Sequence, residues 1–211
     1  MNLLHGLHAR KVNLRSTIFL LIMEDLLKKL LDRLENATKI VFLGIGEEKM
    51  TDDAFGPYLI SQFLDNSYER FLFINAGVDP MSRMEEIVDF NPSHLVLLDT
   101  CTLNEEPGTV AILERENLQA YVPISSHTIP IHIVVDLLLE KIPKLDVFMI
   151  GVVPKSLDGF DELKLYKGKE LTLVQKAENI DLPYFEIQMS EEIQEVADRL
   201  VQVIESIMKR I

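Results

Sequence analysis

The chain has 211 residues, 47% of them hydrophobic and 26% charged, which is the balance of a globular protein with a sizeable core. Acidic residues number 34 against 21 basic ones, for a formal charge of -13, and a surface that acidic makes nucleic acid and anionic membrane poor partners. The lone cysteine, Cys101, excludes an internal disulfide framework and any cysteine-built zinc site, and it suits a reducing, cytoplasmic setting.

Residues 1–22 read as an N-terminal extension. They are mildly basic (Arg10, Lys11, Arg15), and the apolar run Ile18 to Met23 is too short for a membrane span or a signal peptide. Residues 23–211 read as a single α/β domain. From Glu24 to Lys39, Leu26, Leu27, Leu30, Leu31 and Leu34 form one stripe at helical spacing. Lys39 to Gly44 is a short apolar run closed by glycine, which predicts a buried strand. A loop from Ile45 to Thr51 precedes a helical pattern over about 54–66. Phe71–Ile74 predicts a second strand, 81–89 a short helix, 94–98 a third strand covered on both faces, and 109–113 a fourth. Residues 128–141 are apolar almost all round and predict a helix buried on several sides. Asp146–Gly151 predicts a fifth strand. A final helix starts at Glu191, with Ser190 as N-cap and Ile193, Val196, Ala197, Leu200, Val201, Ile204 and Met208 on one face. The stretch 155–189 is polar, with two short candidate strands at 171–174 and 184–187.

Strands alternating with helices predict a three-layer helix–sheet–helix sandwich around a mostly parallel five-stranded sheet. One strand breaks the rule. Too few residues separate Asp99 from Thr109 for a parallel crossover, so 109–113 is expected to run antiparallel to 94–98.

Ligands of such sheets collect at the carboxyl ends of the parallel strands. Topology brings Asp53 (after the first strand), Asp99 (ending the third) and His127 (before the 128–141 helix) to that rim. Each has a plainer reading. Asp52 or Asp53 could cap the helix starting at Ala54, Asp99 could be satisfied by loop amides, and His127 could be a helix-start residue. Against that, a carboxylate directly after four buried apolar residues must be paired, solvated in a cleft or bound to something. Two carboxylates and an imidazole suit a borderline divalent ion such as nickel or zinc. His5, His8, His94 and His132 have no comparable setting. Gly44-Ile-Gly46 lacks the third glycine of a dinucleotide site, and Glu47 and Glu48 stand where pyrophosphate would need bare amides. Cys101 has no basic group evidently placed to activate it and reads as a core thiol.

Taken together, Gly44-Ile-Gly46, Asp52-Asp53-Ala-Phe-Gly56, Leu97-Leu98-Asp99-Thr100, Pro107-Gly108-Thr109 and Ser126-His127-Thr-Ile-Pro-Ile resemble the hydrogenase maturation proteases. Order and spacing match over about residues 40–153. The Ser-His-Thr-Ile-Pro segment resembles most the branch acting on hydrogenase-3-type large subunits. The resemblance implies an aspartyl endopeptidase that trims the C-terminal extension of a [NiFe]-hydrogenase large-subunit precursor. It further implies that Asp53, Asp99 and His127 are the catalytic, metal-contacting residues, and that nickel is substrate-borne and used for recognition. The partner implied is the precursor, met by a cytoplasmic monomer. The chain departs from the family pattern at Glu47, where asparagine is usual, and at Asn75, where aspartate is common. Two other readings compete: a catalytically silent metal-binding or chaperone-like relative, and another α/β hydrolase acting on a small substrate.

Overall fold

A computed structural model describes residues 14–64, 67–122, 129–157 and 189–211. The candidate strands at 171–174 and 184–187 lie outside the described residues. Five strands, β1 (Ile40–Ile45), β2 (Phe71–Gly77), β3 (His94–Thr100), β4 (Val110–Glu114) and β5 (Asp146–Val152), form one sheet in the order β2-β1-β3-β5-β4. The β1–β2, β1–β3 and β3–β5 pairs are parallel, and β4 pairs antiparallel with β5.

The direction expected for β4 is therefore right, but its neighbour is β5 and not β3. The loop leaving β3 passes over the end of β5, where the Cys101 amide donates to the Val152 carbonyl (2.8 Å) and the Gly108 amide to that of Val153 (2.9 Å). Two strand spacings are only about 10 Å, well within reach of such a loop. A short connection thus fixes the direction of a strand without fixing which strand it sits beside.

Period-2 alternation divides each central strand between two cores. Ile40, Phe42, Val96, Leu98, Phe148 and Ile150 face one side, where they meet α1 (Leu14–Leu34), α2 (Phe55–Ser61) and α6 (Glu191–Arg210). Val41, Leu43, Leu95, Leu97, Val147 and Met149 face the other, against α3 (Met84–Phe90) and α5 (Ile131–Lys141). Side chains such as Phe42, Phe148 and Leu95 are fully buried. Each contributes roughly 1.5–3 kcal/mol relative to exposure, so burial outweighs the surface ion pairs in holding the layers together.

Several predicted boundaries move. α1 begins at Leu14, so the apolar run 18–23 continues the helix into the extension, with Met23 buried and Phe19 packed on the core. The helix expected over 54–66 is a 3₁₀ turn, Thr51–Ala54, followed by the short α2. A 3₁₀ turn at Arg115–Asn117 and one α-helical turn, α4 (Leu118–Tyr121), lie where no element was predicted.

At the amino edge of the sheet, Arg33 near the end of α1 grips Asp146 through Nε (3.2 Å) and Nη2 (2.6 Å) and Glu114 through Nη1 (2.6 Å). Its guanidinium also lies 4.1 Å from the Phe148 ring centre. Burial alone would weaken its hold on the proton, but the bonds to Asp146 and Glu114 outweigh that, and the proton is held more firmly than usual. Among the described residues, no helix is long and apolar enough to cross a membrane.

Candidate active site at the carboxyl rim

The rim is built on close approach of backbone to backbone. A β-carbon on Gly56 would sit 2.3 Å from the Leu98 carbonyl oxygen and 2.4 Å from that of Ile45. Only glycine lets the start of α2 lie directly on the ends of β1 and β3. Gly46 has φ 135°, and a β-carbon there would meet the Asp53 carbonyl oxygen at 1.9 Å. The two glycines thus hold the 3₁₀ turn that carries Asp52 and Asp53 against the sheet.

Within that turn, three residues per revolution send neighbouring side chains in different directions. Asp52 (0% exposed) points to the far side of the rim. Its Oδ2 accepts from the amides of Lys155 (2.8 Å) and Ser156 (2.9 Å), and its Oδ1 from the amide of Ser190 (2.7 Å). The Ser190 hydroxyl donates to Oδ2 as well (3.2 Å). Ser190 stands at the N-cap of α6 as predicted, but its hydroxyl serves Asp52 and makes no cap bond. Asp52 is therefore a structural tie joining the first loop, the exit of β5 and the start of α6.

Asp53 (3% exposed) turns towards β3. Its Oδ2 accepts from the Glu47 amide (2.8 Å), and its Oδ1 from the Thr100 hydroxyl (3.3 Å). Neither aspartate caps the 3₁₀ turn or α2, so the helix-capping reading of the pair does not hold. Asp99 (1% exposed) accepts the Thr100 amide on its own Oδ1 at 2.7 Å. Both predicted aspartates are thus buried at the carboxyl edge, linked through Thr100. Burying two carboxylates at one edge is costly unless donors or a cation offset the charge.

His127 lies outside the described residues. The chain on either side of it does lead to this edge. The Tyr121 carbonyl at the end of α4 accepts the Thr102 amide (2.7 Å), and α5 runs antiparallel to the strands, so it begins at their carboxyl ends. Among the described residues, no three His, Cys, Asp or Glu side chains converge as a metal-binding group.

The departures from the family pattern are absorbed locally. Glu47 reaches Asp53 through its backbone, which any residue supplies. Asn75 donates to Glu48 Oε1 (2.9 Å) and accepts the Gly77 amide (3.0 Å), tying the first loop to β2. Cys101 is buried, and its thiol is pushed up to about 12, first by burial and then by the Asp99 charge, so it stays protonated and inert. His94, at the opposite edge, lies 3.5 Å from Asp146 and takes no part. His132, two residues into α5, is on a helix whose start lies at the rim, but no described contact joins it to the aspartates.

Thr100 is the residue that sequence reasoning missed. The signal was present: alternation sends its side chain to the face opposite Asp99, where the Asp53 turn packs.

A family model described as HycI, hydrogenase maturation protease, matches residues 57–165. A protein of Methanocaldococcus jannaschii that carries the name of a hydrogenase maturation protease is 30% identical over 165 residues, covering 72% of this chain and 96% of that one. The hydrogenase 3 maturation protease of Escherichia coli K12 is 25% identical over 114 residues, covering 54% of this chain and 72% of that one. Among solved structures, the [NiFe] hydrogenase maturation protease HycI of Thermococcus kodakarensis superposes with a TM-score of 0.66 at 27% identity, over 86% of this chain and 99% of that one. The solution structure of the endopeptidase HycI from E. coli shares the fold, with a TM-score of 0.58 at 20% identity over 78% of this chain and 87% of that one.

Proposed function

Because the chain belongs to the hydrogenase maturation protease family, we propose that it removes the C-terminal extension of a [NiFe]-hydrogenase large-subunit precursor once nickel has been inserted. The hydrogenase is of the hydrogenase-3 type, and the reaction takes place in the cytoplasm. The observation that supports this reading best is the buried pair Asp53 and Asp99, from distant parts of the sequence, linked at the sheet edge through one threonine.

In this reading nickel arrives as part of the substrate. Asp53 and Asp99 offset its two positive charges, and His127 offers a ring nitrogen. Capture of the ion places the scissile peptide beside the rim, where hydrolysis adds water across one amide and leaves a new carboxylate on the large subunit and a free amine on the released extension. The reading makes Cys101 a bystander, in keeping with its burial. The net charge of -13 favours encounter with a precursor surface or tail bearing Lys or Arg.

The test incubates the purified chain with nickel-loaded and nickel-free precursor and follows the large-subunit mass. Cleavage of the loaded form alone, lost in Asp53→Asn, Asp99→Asn and His127→Ala, is the expected result. Equal cleavage of both forms would remove nickel from the mechanism. No cleavage of either would favour the silent, binding-only relative.

A further inference from the structure

Thr100 touches both aspartates by two different groups. Its amide donates to Asp99 Oδ1 (2.7 Å) and its hydroxyl to Asp53 Oδ1 (3.3 Å), and it is itself 1% exposed. The amide bond is made by any residue at this position. The hydroxyl bond is not, and it joins the turn after β1 to the end of β3 at the level of the carboxylates. Thr100 is also locked in place, since its neighbour in register is Val152 of β5 and its β-branched side chain has little rotamer freedom.

From this geometry we infer that Thr100 is a positioning residue, whose hydroxyl fixes the orientation of the Asp53 carboxylate relative to Asp99 and so sets the spacing of the two oxygens offered to a divalent cation. The inference rests on the proposed function and deepens it. A hydroxyl donor leaves the aspartate charge in place while holding the carboxylate in one orientation. Residues that orient ligands in this way change metal affinity or activity by about 10–100-fold when removed.

The test compares Thr100→Val, which keeps shape and loses the hydroxyl, with Thr100→Ser, which keeps the hydroxyl. Ni(II) affinity of the full chain is measured by titration calorimetry, cleavage of nickel-loaded precursor by mass, and folding by thermal melting. Thr100→Val is expected to weaken Ni(II) binding and kcat/KM by about tenfold, with Thr100→Ser within about twofold of wild type and both melting near the wild-type temperature. Thr100→Val at wild-type affinity and rate, while Asp53→Asn is inactive, overturns the inference and leaves the proposed function standing. Wild-type chain that neither binds nickel nor cleaves overturns the proposed function itself. If the valine variant misfolds, Thr100→Ala against Thr100→Ser decides the same question, because only serine restores the donor.

Discussion

Asp52 and Asp53 are adjacent, both buried, and separable by experiment. Replacing Asp52 by alanine removes the common acceptor of three amides and one hydroxyl. A hydrogen bond to a charged group is worth about 1.5–3 kcal/mol when its partner is buried. Lys155 is exposed and Ser156 and Ser190 are half-buried, so water recovers part of each loss. Taking about 1 kcal/mol for each of the three amides gives about 3 kcal/mol. For a chain of this size that lowers Tm by about 6–12 °C. Asp52→Asn retains one acceptor oxygen and is expected to lose about half as much. Differential scanning fluorimetry of wild type, Asp52→Ala, Asp52→Asn and Asp53→Asn reads all of these at once. Asp53→Asn keeps an acceptor for the Glu47 amide and should stay within about 3 °C of wild type while losing cleavage. A fall of less than about 2 °C for Asp52→Ala would refute the tie.

Two further outcomes follow from His94 and Cys101. Burial depresses the basicity of His94, with the Asp146 carboxylate opposing and Arg33 reinforcing the effect. The unfolded imidazole takes up a proton near pH 6.5 while the folded one refuses it, so stability falls as pH drops through 6.5 and the deficit is complete below the folded value. Tm should therefore decline more steeply between pH 7.5 and 5.5 for wild type than for His94→Gln; parallel curves would disprove the linkage. With its thiol near 12 and no exposed surface, Cys101 should react with iodoacetamide at pH 8 about a thousandfold more slowly in native protein than in urea. Comparable rates in the two states would show that the thiol is accessible.

Much of this architecture was legible because period and position are local properties. The five strands stand where short apolar runs end in glycine or a polar residue, and the two aspartates stand where strand order delivers them. The pairing of β4 was not legible, since a short loop dictates direction and leaves the neighbour to be decided by where β5 inserts. The 3₁₀ start of α2 escaped notice because it is set by Gly46 and Gly56 packing on backbone oxygens, a long-range contact with no periodic trace. The division of labour between Asp52 and Asp53 was hidden for the same reason. Either could have been a cap, and the family resemblance alone favoured Asp53 for the site; the fold shows Asp52 meeting Lys155, Ser156 and Ser190 while Asp53 meets Glu47 and Thr100. His94 read as an ordinary histidine because nothing nearby in sequence announces Asp146.

Ser156 and Ser190 are fastened to the same carboxylate, so the polypeptide that departs after β5 comes home to its point of departure. The two ends are thereby held by one negative charge, so its loss would loosen the exit of β5 and the start of α6 together.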